Sequence, residues 1–317
     1  MPFSPRAAWA LVKDTVSEIG DDDVASLSAA IAYYTIFSLP PLLVILVAVA
    51  GVWFGPDQVQ EALTGQVGGL AGEGAAREIR TMIENAGDVG EGTAGKLVGV
   101  FLLFVGASGA FGQLQKALNR AWDVRPAPGG GIRQLVFKRL LSFGMVLTIA
   151  FLLLVSLALS AALSALGDQV DGLLPGGVPA AVWQLADTAV SVGIITLLFA
   201  ALFVLLPDAK VAWRDVWLGA GVTALLFTLG KWAIGFYLGR SDPGSAFGAA
   251  GSLALLLVWI YYTALILLAG AEFTQVWACR FGTRIVPEKG AVRAGRKRSA
   301  PDPEIHPLAR PRDPEPY

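Results

Sequence analysis

The chain has 317 residues, 55% of them hydrophobic and 15% charged, with a mean hydropathy of +0.60. Soluble domains carry about 25% charged residues, so this composition points away from a soluble enzyme, and a net charge of −1 gives no bulk attraction to nucleic acid. One cysteine, Cys279, excludes an internal disulfide framework and a cysteine metal cluster, and the one histidine, His306, lies in a proline-rich tail; no cofactor or metal is expected.

In chain order, the N-terminal stretch MPFSPRAAWALVKDTVSEIGDDD has no apolar core followed by a small-residue cleavage site, so it does not read as a signal peptide. Trp9, Val12, Val16 and Ile19 share one helical face. Residues 1–23 therefore read as a cytoplasmic amphipathic segment lying on the membrane surface. Asp21, Asp22 and Asp23 are expected to cap the next helix, since carboxylates suit free N–H groups at a positive dipole end.

A bilayer core of about 30 Å needs about 20 helical residues. Residues 24–283 hold six such stretches: Ala32–Phe54, Leu97–Gln113, Leu140–Leu166, Ala181–Leu206, Trp217–Leu238 and Leu253–Trp277. The fold class is all-α, a polytopic bundle of six transmembrane helices. Between the first two, the outer loop 56–96 contains AAREIRTMIENAG, which spaces Ala76, Ile79, Ile83 and Ala86 as a second amphipathic helix, read as a lid on the bundle. From 284 to 317, seven prolines and mixed charge read as a disordered basic tail. Its Arg293, Arg296, Lys297 and Arg298 form a juxtamembrane cluster suited to anionic lipid.

Lysine and arginine set the orientation. The N-terminal segment, the loops after spans two and four, and the tail together carry 19 of the 24; the opposite face carries four, and Lys231 lies inside span five. Both termini are therefore expected in the cytoplasm.

Glu272 ends a run of twenty-nine residues without an ionisable acid or base, back to Asp242. A charge at a bilayer centre costs roughly 2.5–3.5 kcal/mol on insertion scales. Lys231 is a poor partner, because it lies about 25 Å beyond Arg214 at 1.5 Å per residue, near the opposite face. The groups that share the depth of Glu272 are Tyr33, Tyr34 and Thr35 at the start of span one, and Gln113, Asn119 and Arg120 at the exit of span two. Arg120 is the expected partner, since its fork matches a carboxylate. Pro40 and Pro41 remove two N–H donors from span one, so a kink is expected, with Thr35, Ser38 or a tyrosine hydroxyl helping the freed carbonyls. Two readings stay open: a polar pocket facing the cytoplasm, or polar groups that lock helices and meet water at their ends.

Four stretches, AAIAYYTIFSLPPLLVIL (29–46), GASGAFGQLQKALNRAWDV (106–124), LPDAKVAWRDVWLGA (206–220) and GSLALLLVWIYYTALILLAGAEFT (251–274), resemble the YihY/virulence factor BrkB family of bacterial inner-membrane proteins. The resemblance implies a six-span bundle with both termini inside, and it selects Tyr33, Tyr34, Asn119, Arg120 and Glu272. Some members have carried the label ribonuclease BN, generally regarded as mistaken; others have been connected with serum resistance or envelope lipid transport. Nuclease chemistry needs clustered carboxylates for metals or a suitable nucleophile. Here Asp123, Asp208, Asp215 and Glu272 are scattered over different segments, so no enzymatic activity is expected. The expected function is a transporter or flippase-like protein for a small or amphiphilic solute; the alternative is a non-catalytic scaffold of the envelope. The lipid bilayer is the expected partner, and nucleic acid is not.

Overall fold

The computed structural model describes residues 5–88, 109–127, 180–240, 251–283 and 285–294. Pro5 opens α1 (Pro5–Asp21), at a position where its missing N–H costs nothing. A two-residue turn leads into α2 (Val24–Phe54). Asp23 holds the N-cap position in the left-handed region, with φ 51 and ψ 49, and its side chain makes no capping bond. The acidic run therefore caps less directly than expected: the backbone at Asp23 carries the turn, while Asp22 is folded inward and fully buried.

The proline pair bends α2 by 45° between Val24–Pro40 and Leu42–Phe54, as missing donors require. The buried Ser38 hydroxyl donates to the Thr35 carbonyl at 2.9 Å, inside the bend. α3 (Pro56–Ala71) and α4 (Glu73–Asp88) follow, joined through Gly55 and Gly72. Both glycines have φ of 86, a conformation that side chains resist, so each reverses the chain within one residue.

A helix over residues 109–121, here α5, leads to β1 (Val124–Pro126). Then come α6 (Ala180–Leu205), β2 (Ala209–Lys210), α7 (Trp213–Arg240), α8 (Gly251–Phe281), β3 (Val286–Pro287) and β4 (Ala291–Arg293). Val182–Leu205, Trp213–Ile234 and Gly251–Phe281 are long and apolar enough to cross a membrane, and the two arms of α2 together make a fourth such stretch. Of the six predicted spans, the third and most of the second lie outside the described residues.

One core joins the start of α2 to α5, α6, α7 and α8, around Leu118, Trp122, Phe203, Val216 and Leu268. A line of rings crosses it: Trp122 meets Phe203 edge-on at 6.2 Å, Phe199 meets Phe227 at 5.9 Å, and Phe227 meets Trp259 at 5.8 Å. Such pairs add about 0.5–1.5 kcal/mol beyond their buried area. A second core sets Ala75, Ile79 and Ile83 of α4 against Leu43 of α2 and Leu256 of α8. Of the face expected from sequence, Ile79 and Ile83 are buried there and Ala76 is buried beside Gly68 of α3; the side chain of Ala86 lies outside the described residues.

α7 and α8 meet through small residues. A Cβ at Gly219 would stand 1.7 Å from the Thr274 hydroxyl oxygen, and one at Gly270 would stand 1.8 Å from that of Thr223. Each threonine donates to the carbonyl four residues back in its own helix, Thr223 to Gly219 at 2.7 Å and Thr274 to Gly270 at 2.6 Å. The hydroxyls are thus satisfied within their helices while the backbones close on one another, the contact that replaces hydrophobic drive in lipid.

The segment after α8 differs from the disordered tail expected from residue 284. β3 pairs antiparallel with β2, Lys210 opposite Val286, and β4 pairs antiparallel with β1, Val124 opposite Arg293. The Glu288 N–H donates to the Asp208 carbonyl at 3.0 Å, and the Ala294 N–H to the Asp123 carbonyl at 2.8 Å. Backbone pairing orders this proline-containing stretch, and Ile285 at its start is buried in the first core. The rest of the tail, with Arg296, Lys297 and Arg298, lies outside the described residues.

Candidate functional site

Glu272 sits on α8 between the two small residues of the α7 seam, Gly270 and Thr274, and is only 1% exposed. Its carboxylate is therefore turned into the protein and not toward lipid. Gln275, one helical turn further along the same face, is also buried; its Nε2 donates to the Cys279 sulfur at 3.2 Å.

The exit of α5 supplies the second group. Asn119 is buried and bonds Asp208 twice: its Nδ2 donates to Oδ2 at 2.9 Å, and its Oδ1 accepts from the Asp208 N–H at 2.7 Å. Gln115 adds a bond to Oδ1 of Asp208 at 3.2 Å. The carboxamide thus mimics a backbone pair and fixes the chain leaving α6. Arg120, one residue on, points elsewhere. Its Nε lies 3.7 Å from Oδ1 of Asp22, and its guanidinium reaches the Asp21 carbonyl at 3.4 Å. The expected fork onto Glu272 is replaced by a grip on the α1–α2 turn, which brings a cation to a fully buried carboxylate.

The aromatic pair lies further out. Tyr33 is 59% exposed, packed edge-on to Tyr34 at 5.8 Å and tilted on Phe37 at 4.9 Å. Tyr34 covers α5 at Gly109, where an added Cβ would come within 2.9 Å of its ring. Thr35 and Gln113 are half-buried. Lys231 is exposed on α7.

The structure therefore brings Asn119 and Arg120 to acids outside the predicted set, Asp208 and Asp22. A sequence signal for the first exists: Pro207 stops the apolar run, and the residue after it must be held by something from another segment. Asp22 carried no such mark within three consecutive aspartates. Among the described residues, no group of three or more His, Cys, Asp or Glu side chains gathers to hold a metal.

Long apolar helices, a proline-bent membrane-length helix and a seam of small residues enclosing a buried carboxylate define a helical integral membrane protein. The profile of the Virulence factor BrkB family matches residues 15–294, and the chain belongs to that family. It is 30% identical over 270 residues to a UPF0761 membrane protein of Ralstonia nicotianae, covering 83% of this chain and 57% of that protein. It is 30% identical over 272 residues to one of Verminephrobacter eiseniae, covering 85% and 62%, and 28% identical over 259 residues to one of Xanthomonas campestris, covering 80% and 57%. The chain thus spans about three fifths of the length of these relatives. No solved structure matches it.

Proposed function

We propose that the protein is a six-span bundle of the inner membrane with both termini in the cytoplasm, and that it moves a small or amphiphilic solute, in the manner of a transporter or flippase, past a polar layer containing Glu272. The observation that carries this reading is the burial of Glu272, 1% exposed within the apolar helix Gly251–Phe281. Ionisable groups kept inside membrane helices face the protein interior and mark solute or ion paths. Gln275 supports the reading, because its buried Oε1 accepts no hydrogen bond among the described residues. The 19-to-4 division of Lys and Arg supports the orientation.

The test is reconstitution of the full chain in liposomes, following translocation of a fluorescent phospholipid and efflux of trapped solutes. Glu272→Gln, nearly isosteric, is expected to lower the rate at least tenfold with protein level and melting temperature unchanged. A second reading, a non-catalytic envelope scaffold, draws on the close α7–α8 seam. It predicts no translocation by the wild type and a Glu272→Gln effect on stability alone.

A further inference from the structure

We propose that the groove between the first turn of α7 and the last turns of α8 binds the headgroup phosphate of an anionic glycerophospholipid. The groove has a volume of about 510 Å³ and is lined by Arg214, Asp215, Trp217, Leu218, Trp277 and Phe281. That size falls in the range of small-molecule sites, about 300–1,000 Å³.

Its charges are arranged for an anion. Arg214 is exposed, and among the described residues it makes no hydrogen bond or ion pair. Arg280, in the last turn of α8, is committed to Asp14. The one carboxylate in the lining, Asp215, is 3% exposed, and its Oδ2 accepts from the Thr283 N–H at 2.7 Å and the Thr283 hydroxyl at 2.6 Å. Two donors thus occupy one oxygen of this buried carboxylate, while the exposed Arg214 beside it can face an incoming phosphate. The positive end of the 28-residue helix α7 adds to the same field.

The position selects a lipid. Trp213–Ile234 and Gly251–Phe281 are both membrane-length, and the groove lies where one begins and the other ends; for helices that span a bilayer, that is the level of headgroups. Two tilted ring pairs flank it, Trp213 with Trp217 at 6.5 Å and Trp277 with Phe281 at 4.8 Å. Indole rings favour that level, with an apolar body toward the acyl chains and a polar tip toward water. The inference concerns a binding site apart from Glu272 and does not depend on transport.

The experiment is native mass spectrometry of the full detergent-purified chain titrated with phosphatidylglycerol or phosphatidylcholine. Arg214→Gln is expected to weaken phosphatidylglycerol retention about tenfold, the scale of one hydrogen bond to a charged group, and to leave phosphatidylcholine retention unchanged. Trp217→Ala is expected to weaken both, and Lys231→Gln, an exposed cation elsewhere on α7, neither. Equal phosphatidylglycerol retention by the wild type and Arg214→Gln would overturn the proposal. Displacement of the lipid by an equal concentration of inorganic phosphate would overturn it too, since the site would then be one for soluble anions.

Discussion

The α7–α8 seam and the α4 contact hold helices together by different means. In the seam, Gly219 and Gly270 let backbones meet across threonines that bond only within their own helices. At α4, branched side chains fill a surface, Ile79 and Ile83 against Leu43 and Leu256. The difference follows from solvent. An amphipathic helix gains by removing an apolar face from water, at about 25 cal/mol per Å². Two helices within lipid gain nothing from that transfer and depend on closeness of approach. The seam should therefore fail when atoms are added, and the α4 contact when atoms are removed.

The largest effect is expected from Gly270→Ala. The new methyl would overlap the Thr223 side chain, with 2.8 Å even to its Cβ, so the helices must separate. A loss of about 3 kcal/mol, the upper range for overpacking, is expected in detergent unfolding. Adding Thr223→Gly, which clears the overlapping atoms, should recover most of it; no recovery would show that the seam is not the cause. Ile79→Ala should cost about 2 kcal/mol, the lower end for buried large-to-small changes, because a surface helix can settle into the gap. Limited proteolysis should then cut within 56–88 sooner while the rest of the chain keeps its pattern. The smallest effect is expected from Ser252→Ala, which removes the hydroxyl that donates to Oε2 of Glu78 at 2.5 Å and ties α4 to α8. About 1.5 kcal/mol is expected from one such bond to a charged group, read as faster hydrogen exchange in α4 alone.

The seam was half legible in sequence. Gly219 and Thr223, four apart, have the small-residue spacing of a contacting stripe on α7, whereas the matching Gly270 and Thr274 flank Glu272, and an ionisable residue between them hides the same signal. The α4 face was legible because Ala76, Ile79 and Ile83 repeat at helical spacing. Arg120 shows where counting stops: rise per residue fixes depth along a helix axis, not the direction a side chain takes around it. Depth alone pointed Arg120 to Glu272, whereas the fold turns it to Asp22, which the sequence marked only as a cap candidate. The pairing of residues 286–293 was not legible, since strands of two or three residues carry no period and their partners lie far back in the chain.

Those short strands have a consequence for how the molecule is made. β4 closes on Val124–Pro126, a stretch that leaves the ribosome about 167 residues earlier, and β3 closes on Ala209–Lys210. At ordinary synthesis rates the older stretch waits roughly 10–30 s for its mate. The strands that follow α5 and α6 cannot pair until α8 has emerged, so this pairing is a late step in biogenesis, after the Asn119–Asp208 bonds that need only α5 and the exit of α6. A nascent chain halted before residue 286 would lack both strands that close on the segments after α5 and α6.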